Sequence, residues 1–218
     1  MSDAAVEGTP STEVQPAYFA PEAGIGVPLS VGAFGFAVLV LGFVTADLVT
    51  NEASAIFVPV ALGTGALGLF IGGLLEYRAN NVFGGTFALF YSAFLLTTGL
   101  ILRFFAGPIT DAAGAGGFGD AFGMWLLLWF VFTLMLAYGA WYINMPAFLA
   151  FILLAVAYLL LGIANINDGA DTTLTKVGGW VLIVDGIVAW YLSWALAVNP
   201  LVARKLPLWP HPYSKRSS

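Results

Sequence analysis

From Val31 to Val44 the chain reads VGAFGFAVLVLGFV, without one charged side chain. Runs of this kind recur along the sequence and restrict the fold more than any motif does. About 20 apolar residues rising 1.5 Å each span the ~30 Å hydrocarbon core of a bilayer. Six segments meet that length, roughly 28–48, 57–75, 82–105, 121–143, 147–163 and 177–198. None alternates as a barrel strand does, so each is expected to be a helix. The expected fold class is all-α, a polytopic membrane protein with six transmembrane helices.

Composition supports lipid as the solvent. Charged residues make up 9% of the chain and hydrophobic ones 60%, whereas a soluble domain carries roughly 25% charged residues. Glycine supplies 26 of 218 residues, well above an ordinary usage of about 7%. In membranes such small residues let helix backbones approach closely. Gly68 and Gly72, like Ala61 and Gly65, stand one turn apart in the second segment, and Gly32 and Gly35 lie in the first; helix–helix contact is the expectation. There is no cysteine, which excludes disulfides, thiolate metal sites and cysteine nucleophiles. The formal charge of −5 points to no partner, and no nucleic-acid partner is expected.

Residues 1–24 read as a mobile tail, 25–198 as the membrane domain and 199–218 as a cytoplasmic tail. The first residues include Asp3, Glu7 and Glu13, the reverse of a signal peptide. The stretch AGPITDAAGAGGFGD reads as a Gly-rich loop between the third and fourth helices. The short NMP turn makes the fourth and fifth antiparallel neighbours. Arg78, Arg204, Lys205, Lys215 and Arg216 fall on the side of both termini, against Arg103 and Lys176 on the other. The positive-inside rule then predicts an N-in, C-in topology. A multi-pass protein of the plasma (inner) membrane is expected, with the lipid bilayer as its first partner.

Chemistry has few places to reside. His211 is the single histidine, too few ligands for a zinc site, and neither a metal nor a cofactor is expected. No lysine stands in mid-membrane to carry retinal, and without strands there is no phosphate loop. No catalytic residues are assigned, so the chain is not expected to be an enzyme. Asp185 lies near the middle of the sixth helix; an intramembrane acid marks a pathway or proton relay by default. The competing reading is an acid that ties two helices together. Glu76 and Arg78 are expected at the membrane interface, where an ion pair would set helix depth.

One stretch is more specific. In GGLLEYRANNVFGGTFALFYSAF the residues Gly73, Glu76, Tyr77, Arg78, Asn81, Phe83, Gly84, Thr86, Tyr91 and Phe94 follow a pattern that resembles the acetate uptake transporter family, the succinate–acetate permeases. Further matches are Pro28, Leu29, Phe34 and Gly35, Trp129 with Phe132 and Thr133, Gly162 through Asn165, and Gly179 with Trp180. The resemblance implies a six-helix protomer assembled as a homo-hexamer, with a solute path in each protomer. It places a constriction at Phe34, Tyr91 and Leu154. The chain departs from the family before the first helix, where IGVPLS lacks an Asn and a Pro. It also departs at Leu69, where a Gln is common, and at Asp185, where a small neutral residue is usual.

A small carboxylate must cross such a path without a fixed counter-charge, since full dehydration of an anion costs far more than a few hydrogen bonds return. It crosses as the neutral acid or with a proton, or it is held first at a helix N-terminus. The start of the first helix, Pro28, Leu29 and Ser30, is the candidate for that role, with Thr86 and Asn165 further along the path and Asp185 as candidate proton relay. The expected function is proton-linked uptake of acetate-like monocarboxylates, with succinate as a further solute. Two alternatives stay open: a passive channel for ammonia, urea or carbon dioxide, and a non-transporting sensor or scaffold subunit.

Overall fold

Every described span is helical, and what bends the helices is local. The computed structural model describes residues 25–166 and 172–210; the tail 1–24, His211, Lys215 and Arg216 lie outside the described residues. Helix α1 is Val27–Thr45, and α2 runs Asn51–Arg78 with a 3₁₀ start and a π-type stretch, Val60–Ala66. Pro59 stands immediately before that stretch; it lacks an N–H and clashes with the preceding turn, so the ladder loosens there. The Ala66 carbonyl at its end accepts the Ser92 hydroxyl at 2.8 Å. Helix α3 is Val82–Leu100, α4 is Ala106–Trp141, α5 is Met145–Asn165 and α6 is Thr172–Val198.

By length and apolarity, five helical stretches qualify as membrane spans. One of them, Val82–Trp141, joins α3 to α4 through a π-type stretch, Ile101–Phe105. It doubles back on itself: Phe94 stacks on Trp125 with ring centroids 6.2 Å apart, and Tyr91 reaches Thr133. The expected Gly-rich loop is instead largely helical. Only Gly114 leaves helical geometry, at φ 77° and ψ 168°. Glycine alone adopts that conformation without strain, whereas the flanking alanines propagate a helix.

Neighbouring helices are antiparallel and meet on small residues. Down the α1–α2 contact Ser30 faces Gly72, Ala33 faces Gly68 and Ala37 faces Gly65, which is the contact that the spacing in α2 predicts. Helix α1 packs along α6 just as closely. A Cβ on Gly42 would stand 3.0 Å from the Gly179 carbonyl, and one on Gly186 would stand 3.2 Å from that of Gly35. Helix α5 lies between α4 and α6. The outer surface carries large apolar side chains such as Phe36, Leu128, Met135 and Trp194, the surface a lipid solvent requires.

Residues beyond α6 turn back along it. The Asn199 side chain bonds both backbone groups of Leu206, and the Tyr191 hydroxyl donates to the Pro207 carbonyl at 2.6 Å. Met145 N–H reaches the Trp209 carbonyl at 3.2 Å. At the opposite end of the bundle, Lys176 pairs with Asp47 at 2.7 Å.

Candidate functional site: an aromatic waist and a carboxylate clamp

The helix-end cluster around Glu76 is buried. Glu76 has no exposed surface, and its Oε1 accepts the Gly26 and Val27 amides at 2.6 and 2.9 Å. These are N-terminal amides of α1, which lack partners within the helix and favour a negative charge. Pro28 in the first turn suits a helix start and supplies no amide of its own. The other oxygen, Oε2, accepts the Asn81 side-chain amide at 2.5 Å. Asn81 caps α3 by accepting the Gly84 amide at 3.0 Å, and Asn80, at φ 58°, makes the left-handed turn between α2 and α3. One carboxylate thus binds the end of α2 to the starts of α1 and α3. Glu76 is therefore no interfacial partner of Arg78, which is exposed; among the described residues no ion pair joins them.

Of the three residues expected at the constriction, Phe34 and Tyr91 are in ring contact, and Leu154 is buried in the same cluster. Phe34, Tyr91 and Leu154 are 8%, 1% and 2% exposed and share one buried cluster. Tyr91 is its centre. Its ring lies 5.6 Å from that of Phe34 in α1, 5.7 Å from Trp129 in α4 and 6.1 Å from Phe151 in α5. Its hydroxyl bonds that of Thr133 at 2.7 Å. A phenol held by rings from three other helices is fixed in position, because tilted aromatic contacts of this spacing are favourable and directional. Inside α1, α3, α4 and α5 there is no Lys or Arg, so these four helices bring no cation to the waist.

The other expected path residues lie on either side of the waist. Ser30 is fully buried, and its hydroxyl has no partner. Leu29 is half-exposed, and the Pro28 carbonyl accepts the Ser193 hydroxyl at 2.6 Å. Thr86 shares a hydrogen bond of 2.8 Å with Tyr77. Asn165, at the far end of α5, donates to its own helix at Leu161. Phe83 packs against Phe87 and Phe151, between the clamp and the waist. Asp185 is fully buried, and neither of its oxygens has a partner. Sequence reasoning missed two groups here. The first is the aromatic collar of Trp129 and Phe151 around Tyr91. The second is Tyr158, one turn past Leu154 on the same face of α5; that spacing was the available signal.

A helical bundle of membrane-length apolar helices with an apolar exterior is a multi-pass membrane protein. The chain belongs to the GPR1/FUN34/yaaH family, whose pattern it matches over residues 7–204. It is 32% identical over 170 residues to ammonia transport outward protein 2 of Saccharomyces cerevisiae, a match covering 77% of this chain and 59% of that one. It is 28% identical to acetate permease A of Emericella nidulans, covering 75% and 58%. The chain thus spans less than two thirds of these two fungal relatives. The succinate-acetate/proton symporter SatP of Escherichia coli is 29% identical over 177 residues, covering 81% of this chain and 90% of that one. The solved structure of a bacterial acetate channel SatP superposes with a TM-score of 0.73 at 26% identity, over 87% of this chain and 99% of the other. Proteins so named are transporters and channels, not enzymes.

Proposed function

We propose that the chain carries acetate and similar small monocarboxylates, succinate among the further solutes, across the plasma membrane past the Phe34–Tyr91–Leu154 waist, together with a proton. The observation that carries this is the waist itself, a fixed phenol in a tight ring of apolar groups with no cation. An anion there would meet no counter-charge, and its dehydration would go uncompensated. The N-terminal amides of α1 at Gly26 and Val27 are taken by Glu76, which favours passage as the neutral acid over prior capture of an anion on those amides. Pro28, Leu29, Ser30 and Thr86 line the approach on one side and Asn165 the exit on the other, with Asp185 as the proton-carrying group. Uptake of labelled acetate into proteoliposomes tests the proposal. Flux that ignores an imposed proton gradient removes the proton link, and absence of acetate flux removes the function.

The same reading takes the protomer to cross the membrane six times. The Val82–Trp141 stretch would be about 90 Å long as a straight helix, three times a bilayer core, and its folding back at Gly114 makes two crossings. Arg78, Arg204 and Lys205 with the tail cations put both termini on the cytoplasmic side. A homo-hexamer is part of the proposal; native mass spectrometry yielding only monomer would reject it. A second reading is favoured by the yeast relative's name and a waist without a cation: passage of ammonia. Parallel assays of acetate, ammonia and urea separate the two, since ammonia flux without acetate flux reverses the assignment.

A further inference from the structure

Asp185 is fully buried with both carboxyl oxygens unpartnered, and the Tyr158 hydroxyl, in a residue 3% exposed, is unpartnered as well. Helix register locates them. Leu161 of α5 packs on Gly178 of α6. Two turns along α6 from Gly178 stands Asp185, and two turns back along the antiparallel α5 from Leu161 stands Leu154. On the other flank Gly186 lies against Gly35, the residue after Phe34. Asp185 therefore shares the layer of the waist, with Tyr158 one turn beyond Leu154. Leu182, Ala189 and Leu192, on the same face of α6 as Asp185, belong to the cluster that holds all three waist residues and Tyr158.

The helices around Asp185 offer no counter-charge. Helix α1 contains no titratable side chain, α3 contributes only Tyr91 and α5 only Tyr158. In α6 itself the remaining titratable groups are Lys176, paired with Asp47, and Tyr191, bonded to the Pro207 carbonyl. Two orphaned polar groups about one turn apart are a cost that a shared ligand would offset, because a buried polar group left unpaired is expensive.

We propose that Asp185 and Tyr158 form a polar site at the waist that takes the carboxyl group of a small acid together with its proton. Asp185 shares one proton with a solute carboxylate in an acid–carboxylate hydrogen bond. The Tyr158 hydroxyl donates to the second solute oxygen, and the short alkyl end meets Leu154 and Leu182. The proton travels on whichever carboxyl group holds it, so no other co-reactant is needed. The inference rests on the transport reading above.

The test compares full-length wild type, Asp185→Asn and Tyr158→Phe in proteoliposomes at matched incorporation, with labelled acetate and with or without an imposed proton gradient. Asp185→Asn should lose about tenfold or more of the flux and its response to the gradient, the loss of one charge-assisted hydrogen bond. Tyr158→Phe should raise KM severalfold and keep the gradient response. If both variants match a wild type that moves acetate, the pair is overturned and the transport reading stands. A wild type that moves no acetate sinks both. Protection of the detergent-solubilised protein against heat by acetate provides a readout independent of flux. Acetate should raise the Tm of wild type and leave that of Asp185→Asn unmoved; equal shifts overturn the site. Flux that follows an imposed sodium gradient, and not a proton gradient, overturns the proton and gives Asp185 to a metal cation.

Discussion

Glu76 and Asp185 are acids with no exposed surface, in the same bundle, and they differ in every other respect. Glu76 accepts three hydrogen bonds, two of them from the start of a helix. Asp185 accepts none. Burial alone therefore says little about what an intramembrane acid does. A carboxylate whose lone pairs are met by fixed donors returns stability to the fold that made them. One left unmet is a standing cost, retained only if something from outside meets it. The clamp is built into the architecture, and the acid at the waist is the one we propose for a ligand.

That contrast is broken most directly at the clamp. Glu76→Ala should give the largest loss of stability, on the order of 4 kcal/mol, because it strands two α1 amides and the Asn81 amide together. Thermal unfolding followed by tryptophan fluorescence reads it, with Asn81→Ala expected to lose about half as much, since it removes one clamp bond and one cap. If Glu76→Ala unfolds where wild type does, the clamp is ornamental and the contrast with Asp185 disappears.

The next effects come from the waist. Leu154→Ala should cost about 3 kcal/mol through the cavity it leaves. It should also admit bulkier monocarboxylates such as lactate, measured as the ratio of lactate to acetate flux. An unchanged ratio places Leu154 off the path. Tyr91→Phe removes only the hydroxyl bond to Thr133 and should cost about 1 kcal/mol, since the ring contacts with Phe34, Trp129 and Phe151 remain. A larger loss would mean that the hydroxyl, and not the collar, fixes the ring.

How far the sequence could be read follows the same division between what a residue is and what faces it. The apolar runs and the small-residue spacing in α2 were legible, because hydrocarbon length and close approach depend on the helix's own residues. The all-helical multi-pass class was legible for the same reason. Glycine signals turns in general, so the segment from Ala106 reads as a loop, whereas in the fold only Gly114 uses that freedom. An acid two residues from Arg78 suggests an interfacial pair, yet Glu76 is buried and bonded elsewhere. Two of its three donors lie some fifty positions away at the start of α1, a contact no local spacing reveals. Asp185 stood out from its neighbours at once. That it lacks any partner, and that Tyr158 does too, needed the packing of α5 against α6.

The smallest expected effect on stability is the most informative one. Asp185→Asn exchanges one unpartnered polar group for another of nearly the same shape, so no internal hydrogen bond is lost. Its unfolding temperature should stay within what about 1 kcal/mol produces, against the large drop for Glu76→Ala at equal burial. Measured in detergent without added acid, the two variants give a difference of differences that does not depend on any transport assay. If Asp185→Asn falls as far as Glu76→Ala, the carboxyl has an internal partner after all, and the acid belongs to the architecture like the clamp. If it holds, the fold carries Asp185 without relying on it, and the reason for keeping an acid there has to be sought in what passes through.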